Sequence, residues 1–152
     1  LSERRVNYFL NQKINKRFPP FLNLKKPGLT LGLQALQFTA TSTTAMSQSL
    51  GFPHHLHSIP TNGDNQDIVS MGTEAALIAS ETVQNAYIVL AIEAVTLCQA
   101  ADFLHVSKKL SPTIKKLYAV TRSVVPTVFE DRVLSDEMNN LVRELQTNEI
   151  FK

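Results

Sequence analysis

The stretch AYIVLAIEAVTLC, residues 86–98, contains one charged residue, Glu93, and its apolar side chains would point in every direction around a helix. It lies in a longer segment without proline between Pro60 and Pro112, which predicts one helix from residue 66 or 67 to about residue 103. Such a helix is roughly 55 Å long, whereas a compact domain of this size is about 40 Å across. We therefore expect an all-α fold in which a long central helix packs in a helical bundle and is covered by partner helices.

Shorter helices are predicted around this central one, giving about five in all. Serine precedes or opens three of them as a potential cap, and Gly51 follows the end of another. They cover about residues 2–11, 32–50, 111–124 and 135–146. The proline-rich residues 12–31 and the segment 52–65 are expected to be loops. Residues 1–152 are thus expected to form a single helical region.

The net charge of +2 is unevenly distributed, because residues 1–26 carry seven Lys or Arg against Glu3 alone and residues 27–107 contain neither Lys nor Arg. The basic end lacks interleaved aromatic residues, so we expect no nucleic-acid partner. The longest uncharged segment, residues 27–63, is too polar to span lipid, and we expect no membrane association. The lone Cys98 is expected to be a buried, inert thiol. These features are typical of a cytoplasmic protein.

Two groups of side chains could suggest catalytic or metal chemistry. The histidines 54, 55 and 57 are near no cysteine, and their spacing matches no common closed metal site, so we expect loop histidines and no metal. A carboxylate stripe repeats every seven residues and is expected to be a solvated helix face rather than an acid and base pair. The stripe consists of Asp67, Glu74 and Glu81.

A third feature is the amide-rich segment SIPTNGDNQDIVSMGT, residues 58–73. Its Thr-Asn-Gly-Asp core has strong turn chemistry, and the central helix is predicted to begin within it. Amide side chains near the positive end of a helix are suited to orienting a carboxylate or a polar aromatic substrate. The segment is therefore a candidate binding site.

This segment closely resembles the signature of the histidine, phenylalanine and tyrosine ammonia-lyases and the related aromatic aminomutases. The resemblance continues on both sides, in the family's order, and covers essentially the whole chain. It includes LSERR at residues 1–5, FPPFL at 18–22, KPGL at 26–29, LAIE at 90–93, QAAD at 99–102, residues 122–126, and Asp131 with Arg132.

The resemblance implies a mostly α-helical, tetrameric lyase in which each active site is shared among subunits. It also implies a 4-methylideneimidazol-5-one (MIO) cofactor, made from an internal Ala-Ser-Gly, and a tyrosine base, both in parts of the family's chain that precede this region. Here Ala79-Ser80 is followed by Glu81, so MIO is not expected to form from these residues. No catalytic residue is assigned, and the chain is expected to be an inactive C-terminal part of such an enzyme.

Residue by residue, the family's pocket amides fall on Asn62, Asn65 and Gln66. The scaffold at the start of the helix falls on Asp67, Ser70 and Gly72. Histidine-specific members tend to carry glutamate where this chain has Gln66, so tyrosine or phenylalanine is the expected substrate. Lyase and aminomutase are not separated by these residues. Two alternatives stay open, a histidine ammonia-lyase and a non-catalytic helical oligomerisation or interaction protein derived from the same scaffold.

Overall fold

A computed structural model describes residues 1–148, apart from the His55 side chain. Its helices are α1 (Ser2–Leu10), α2 (Gln12–Asn15), α3 (Gln34–Leu50), α4 (Gly72–Phe103), α5 (Pro112–Val124) and α6 (Ser135–Thr147). Short 3₁₀ turns lie at Pro20–Leu22, His54–Leu56 and Ser107–Lys109. The described part of the chain contains no strand beyond two isolated β-bridges. The predicted all-α fold with a long central helix is therefore confirmed.

The helix ends follow the sequence signals in part. Ser111 caps α5, because its side chain accepts a hydrogen bond from the Ile114 N–H, and Pro112 occupies the first helical position. Ser2 and Ser135, in contrast, lie inside their helices and make no capping bond. Residues 12–31 are also not wholly a loop, because they contain the short helix α2 and the first 3₁₀ turn.

The start of α4 differs from the prediction, because the helix begins at Gly72 rather than at residue 66 or 67. The backbone of Gln66 is paired with that of Thr61 through two hydrogen bonds of 3.0 and 3.3 Å. The N–H of Val69 donates to the Ser58 hydroxyl at 2.8 Å. These bonds hold residues 66–69 in a non-helical path. The helix is accordingly about 48 Å long rather than 55 Å, and still exceeds the expected diameter of the domain.

The core forms where α4 packs against α1, α3, α5 and α6. Its largest fully buried apolar side chains come from five separate parts of the chain, and each contributes roughly 1.5–3 kcal/mol through burial. They are Leu10, Leu22, Leu33, Ile92 and Leu141. An ion pair between Arg5 and the buried Glu93 ties α1 to the middle of α4.

A polar network at the far end of α4 joins distant segments. Gln99 is completely buried, and its Nε2 donates to the Val128 carbonyl at 2.7 Å while its Oε1 accepts from the Val128 N–H at 3.2 Å. Arg122 donates to the same Oε1 at 3.2 Å and pairs with Asp102 at 2.8 Å.

A second connection lies on the surface beyond this network. The N–H of Leu31 donates to both carboxylate oxygens of Asp131, each at 2.9 Å. The two residues are 100 positions apart in the sequence. The network connects α4 and α5 to the segment after α5, and the surface connection fastens Leu31 to the segment that precedes α6.

The surface of α4 is only partly covered within this chain. Val83, Leu90 and Leu97 recur every seven residues and are 52%, 44% and 38% exposed, so the cover that was expected from partner helices is not supplied on this face by the described residues and stays a prediction. By length and composition α4 could cross a membrane, but 61% of its most apolar window is buried inside the protein. That degree of burial is typical of a core helix, which meets the same criteria.

Candidate functional site

The amide-rich segment folds into a small hairpin ahead of α4. Thr61 and Gln66 form an antiparallel bridge, and the Asn65 N–H donates to the Asn62 carbonyl at 3.3 Å. Asn62, Gly63 and Asp64 all have left-handed backbones, with φ of 57°, 63° and 63°. Glycine, asparagine and aspartate tolerate this conformation better than other residue types, so the sequence of the tip explains its shape.

Ser58 joins the two ends of the hairpin. Its hydroxyl donates to the Asp67 carbonyl at 3.3 Å and accepts from the Val69 N–H at 2.8 Å. One side chain thus connects the segment entering the hairpin with the segment leaving it. We call residues 58–69, closed in this way, the amide loop. No local sequence signal marks Ser58, because its partner Val69 lies eleven residues away.

The candidate amides Asn62, Asn65 and Gln66 all lie on the turn of the amide loop. Their side chains are exposed and form no hydrogen bond with any residue in the part of the chain that the structure describes. Asn62 also supplies one of the left-handed positions of the turn, whereas Asn65 and Gln66 do not. All three amide groups are therefore available to a ligand or to another polypeptide segment.

The scaffold residues Asp67, Ser70 and Gly72 are placed differently from the prediction. Gly72 is the first residue of α4, whereas Asp67 and Ser70 lie before the helix, so the amides do not sit directly at its positive end. A Cβ at Gly72 would lie 3.3 Å from the Ser70 hydroxyl oxygen, closer than ordinary van der Waals contact. Rotation of the Ser70 side chain would relieve this contact, so glycine is not required here, and the amides owe their position to the hairpin.

The other candidate groups do not assemble into a site. The ring of His57 stacks on Phe52, with centroids 5.5 Å apart, and lies 6.2 Å from the ring of His54. Within residues 1–148 no three histidine, cysteine or acidic side chains come together as metal ligands. Glu74 and Glu81 are exposed on α4. The stripe predicted to include Asp67 is broken, because that residue precedes the helix.

A cavity of about 790 Å³ lies at the other end of α4, beside Asp102, His105 and Lys108. Asp102 is already engaged there by Arg122 and Thr127, each at 2.8 Å, so it is not a free acid or base. This end of the helix is about 45 Å from Gly72, the first residue of α4, and the lining residues include none from the amide loop. The cavity therefore does not belong to the same site.

The thiol of Cys98 lies in the interior near that end of α4. It is buried, and burial raises the pKa of this thiol above its ordinary value. A thiol with a raised pKa is a weak nucleophile, which agrees with the expectation of an inert residue.

Comparison with known proteins gives a family match along most of the chain. The aromatic amino acid lyase family matches residues 1–123. A tyrosine ammonia-lyase of Cupriavidus metallidurans is 35% identical over 146 residues, which is 96% of this chain and 27% of that protein. A histidine ammonia-lyase of Bacillus mycoides is 36% identical over 152 residues, which is 100% of this chain and 30% of that protein.

A third relative has a solved structure. The MIO-dependent tyrosine 2,3-aminomutase of Streptomyces globisporus is 36% identical over the whole chain and 28% of its own length. A crystal structure of tyrosine aminomutase from this organism has a TM-score of 0.92, covering 98% of this chain and 28% of that one. The chain thus spans less than a third of the length of these relatives. Identities of 35% and 36% do not separate tyrosine from histidine as the substrate.

The residues of this chain do not fit formation of the MIO group. Its precursor tripeptide is Ala-Ser-Gly, and the Ala-Ser pair here, Ala79-Ser80, is followed by Glu81. All three residues lie inside α4, where the backbone is held in regular helical hydrogen bonds. No chemical step is therefore assigned to such a group within these residues.

Proposed function

Since the chain belongs to the aromatic amino acid lyase family, we propose that it forms the C-terminal helical portion of an aromatic amino-acid ammonia-lyase or aminomutase. In this role it contributes the amide loop to the substrate pocket of a larger enzyme. The complete enzyme would eliminate ammonia from tyrosine or phenylalanine to give the α,β-unsaturated acid, or return the ammonia to form the β-amino acid. The observation that carries the proposal is the presence of three partner-free amides, Asn62, Asn65 and Gln66, on one ordered turn.

The proposed work of these residues is binding and orientation rather than proton transfer. A primary amide presents one acceptor and two donors, so Gln66 and Asn65 can hold polar groups of an amino-acid substrate without adding charge. A neutral amide at Gln66 favours an uncharged aryl side chain over an imidazolium ion. Holding the substrate in the orientation that the reaction requires lowers the activation barrier, because less translational and rotational freedom is then lost in reaching the transition state.

The catalytic centre is proposed to lie in the rest of the enzyme. The MIO-forming Ala-Ser-Gly and the base would both come from residues outside these 152. We further propose self-association of the enzyme through α4, supported by the exposed apolar face formed by Val83, Leu90 and Leu97. A homotetramer is the expected assembly, and it would allow several subunits to share one site.

Histidine ammonia-lyase is the alternative within the family, supported by 36% identity to the Bacillus mycoides enzyme. A non-catalytic interaction protein is the alternative outside it, supported by the same exposed face of α4. The genomic sequence upstream of Leu1 separates enzyme from interaction protein. An open reading frame that encodes Ala-Ser-Gly supports the enzyme, and a start codon near Leu1 supports the interaction protein.

Replacement of Gln66 in the complete enzyme tests the proposed function. Gln66→Ala should lower kcat/KM by about ten- to a thousandfold with little change in melting temperature, because one or two oriented hydrogen bonds are lost in a dry site. Gln84→Ala is the matched control, since Gln84 is an exposed glutamine on α4, and its activity should be unchanged. Unchanged turnover in Gln66→Ala, with a melting temperature several degrees lower, would make Gln66 a structural residue.

Gln66→Glu tests the choice of substrate. The substitution keeps the shape of the side chain but adds a negative charge, which an imidazolium can pair with and a neutral aryl group cannot. Activity on tyrosine or phenylalanine should therefore fall more than any activity on histidine. Product analysis for coumarate, cinnamate and urocanate provides the measurement, and a preferential loss of urocanate would contradict the assignment.

A further inference from the structure

The amide loop has few constraints other than its own hydrogen bonds. Its residues from Ser58 to Ile68 are exposed, and the Thr61–Gln66 bridge fixes only the tip. Farther from the tip, the two sides are joined by the Ser58 hydroxyl, which bonds both Asp67 and Val69. Ser58 is therefore the side chain that closes the base of the loop within the described residues.

The geometry of these two bonds explains why a hydroxyl is needed at position 58. One contact uses the oxygen as acceptor from an N–H, and the other uses its proton as donor to a carbonyl. A serine or threonine side chain can do both at once, whereas alanine can do neither. Loss of the hydroxyl would free the Val69 N–H and the Asp67 carbonyl, and the exit of the hairpin could then move relative to α4.

We propose that Ser58 is a positioning residue, which presets the orientation of Gln66 and Asn65 by closing the base of the amide loop. The inference rests on the proposed function, because the proposed function supplies the substrate that those amides orient. Ser58 itself does not contact the substrate. Its contribution is preorganisation, which reduces the ordering cost of binding and keeps the amides in register with the reacting atoms.

The first experiment compares Ser58→Ala with Ser58→Thr in the complete enzyme. Ser58→Ala should lower kcat/KM by about tenfold, because a displaced binding group weakens orientation without removing it. Ser58→Thr retains the hydroxyl and should restore activity to within about twofold of the unaltered enzyme. Ser123→Ala is the matched control, since that exposed serine donates only to Val120 within α5, and its activity should not change. Equal activity of Ser58→Ala and the unaltered enzyme would overturn the inference.

The second experiment separates this inference from the proposed function by combining Ser58→Ala with Gln66→Ala. If Ser58 acts through the amides, its effect on kcat/KM should shrink in the Gln66→Ala background and largely disappear once Asn65→Ala is added. A full tenfold effect in that background would place the action of Ser58 elsewhere and refute it as a positioning residue. If Gln66→Ala alone has no effect, the proposed function fails, whatever the Ser58 variants do.

Amide hydrogen exchange gives a readout that does not depend on activity. The Val69 N–H should exchange faster in Ser58→Ala and be protected again in Ser58→Thr, while amides in the middle of α4 stay unchanged. Unchanged exchange at Val69 in Ser58→Ala would show that the hydroxyl does not close the loop, even where Gln66 proves essential. Faster exchange throughout α4 would show a general loss of fold and would likewise contradict a local role.

Discussion

Gln99→Leu should lower the free energy of unfolding by about 3–5 kcal/mol. Gln99 is completely buried, and the substitution would leave both the N–H and the carbonyl of Val128 without their partner. Each unsatisfied buried polar group costs about 1–3 kcal/mol. Arg122 would also lose a contact but keep its ion pair with Asp102, so its share is smaller. Leucine has a similar volume, so little is added by a cavity.

Urea denaturation of the 152-residue chain, followed by far-ultraviolet circular dichroism at one fixed protein concentration, measures this loss. Gln84→Leu is the matched control, because Gln84 is exposed on the same helix and bonds only Gln146. The control should change the free energy of unfolding by less than about 0.5 kcal/mol. A loss below about 1 kcal/mol for Gln99→Leu, with an unchanged denaturant slope, would refute the idea that this amide fastens α4 to the segment containing Val128.

Three further outcomes are expected. Burial raises the pKa of Glu93, but hydrogen bonds from Arg5 and Ser2 and the charge of Arg5 outweigh this, so the folded-state pKa lies below the ordinary value of 4.5. The stabilisation that the Glu93 carboxylate gives the fold is therefore present above pH 4.5 and is lost as pH falls through the folded-state pKa. In denaturation curves measured against pH, Glu93→Gln should remove about 1 kcal/mol of this pH-dependent free energy of unfolding. The isolated chain should associate in sedimentation experiments, and Leu90→Lys should weaken this association. A well-folded monomer at micromolar concentration would contradict the proposal that the exposed face of α4 drives self-association. The isolated chain should release no ammonia from tyrosine, phenylalanine or histidine, and measurable turnover by a pure preparation would place a catalytic centre within it.

Local signals in the sequence were sufficient for the long elements. Ser111-Pro112 predicted the start of α5, because both a side-chain cap and a proline at the first position act within one turn. The apolar run at residues 86–98 likewise predicted the buried middle of α4. These features depend on neighbours in the sequence, which is why they could be predicted from it.

The features that were missed depend on contacts between separated residues. The start of α4 was predicted too early, because the bonds from Thr61 to Gln66 and from Ser58 to Val69 compete with helix formation. The short helix α2 is partly an exception, because Asn11 caps it locally by accepting a hydrogen bond from the Lys13 N–H. The side-chain amide of Asn15 holds that turn by donating to the carbonyls of Tyr8, Phe9 and Asn11.

Prediction of the candidate site had two sources. Turn chemistry alone indicated a bend at Asn62, Gly63 and Asp64, and the left-handed backbones at these residues confirm it. The roles of Asn65 and Gln66 came from family resemblance, because an amide side chain has no spacing rule that marks it as a ligand. Their roles in substrate binding stay a prediction until the Gln66 variants are assayed.

The bonds between Leu31 and Asp131 have a consequence for synthesis on the ribosome. The two residues are 100 positions apart, and elongation at roughly 5–20 residues per second separates their appearance by about 5–20 s. During that time the segment ending at Leu31 has emerged without its final partner. The apolar helix α4 follows it out of the exit tunnel before α5 and α6 exist to cover it. The nascent chain therefore exposes its most apolar surface for several seconds, and a ribosome-bound chaperone would find the largest apolar binding area in that interval.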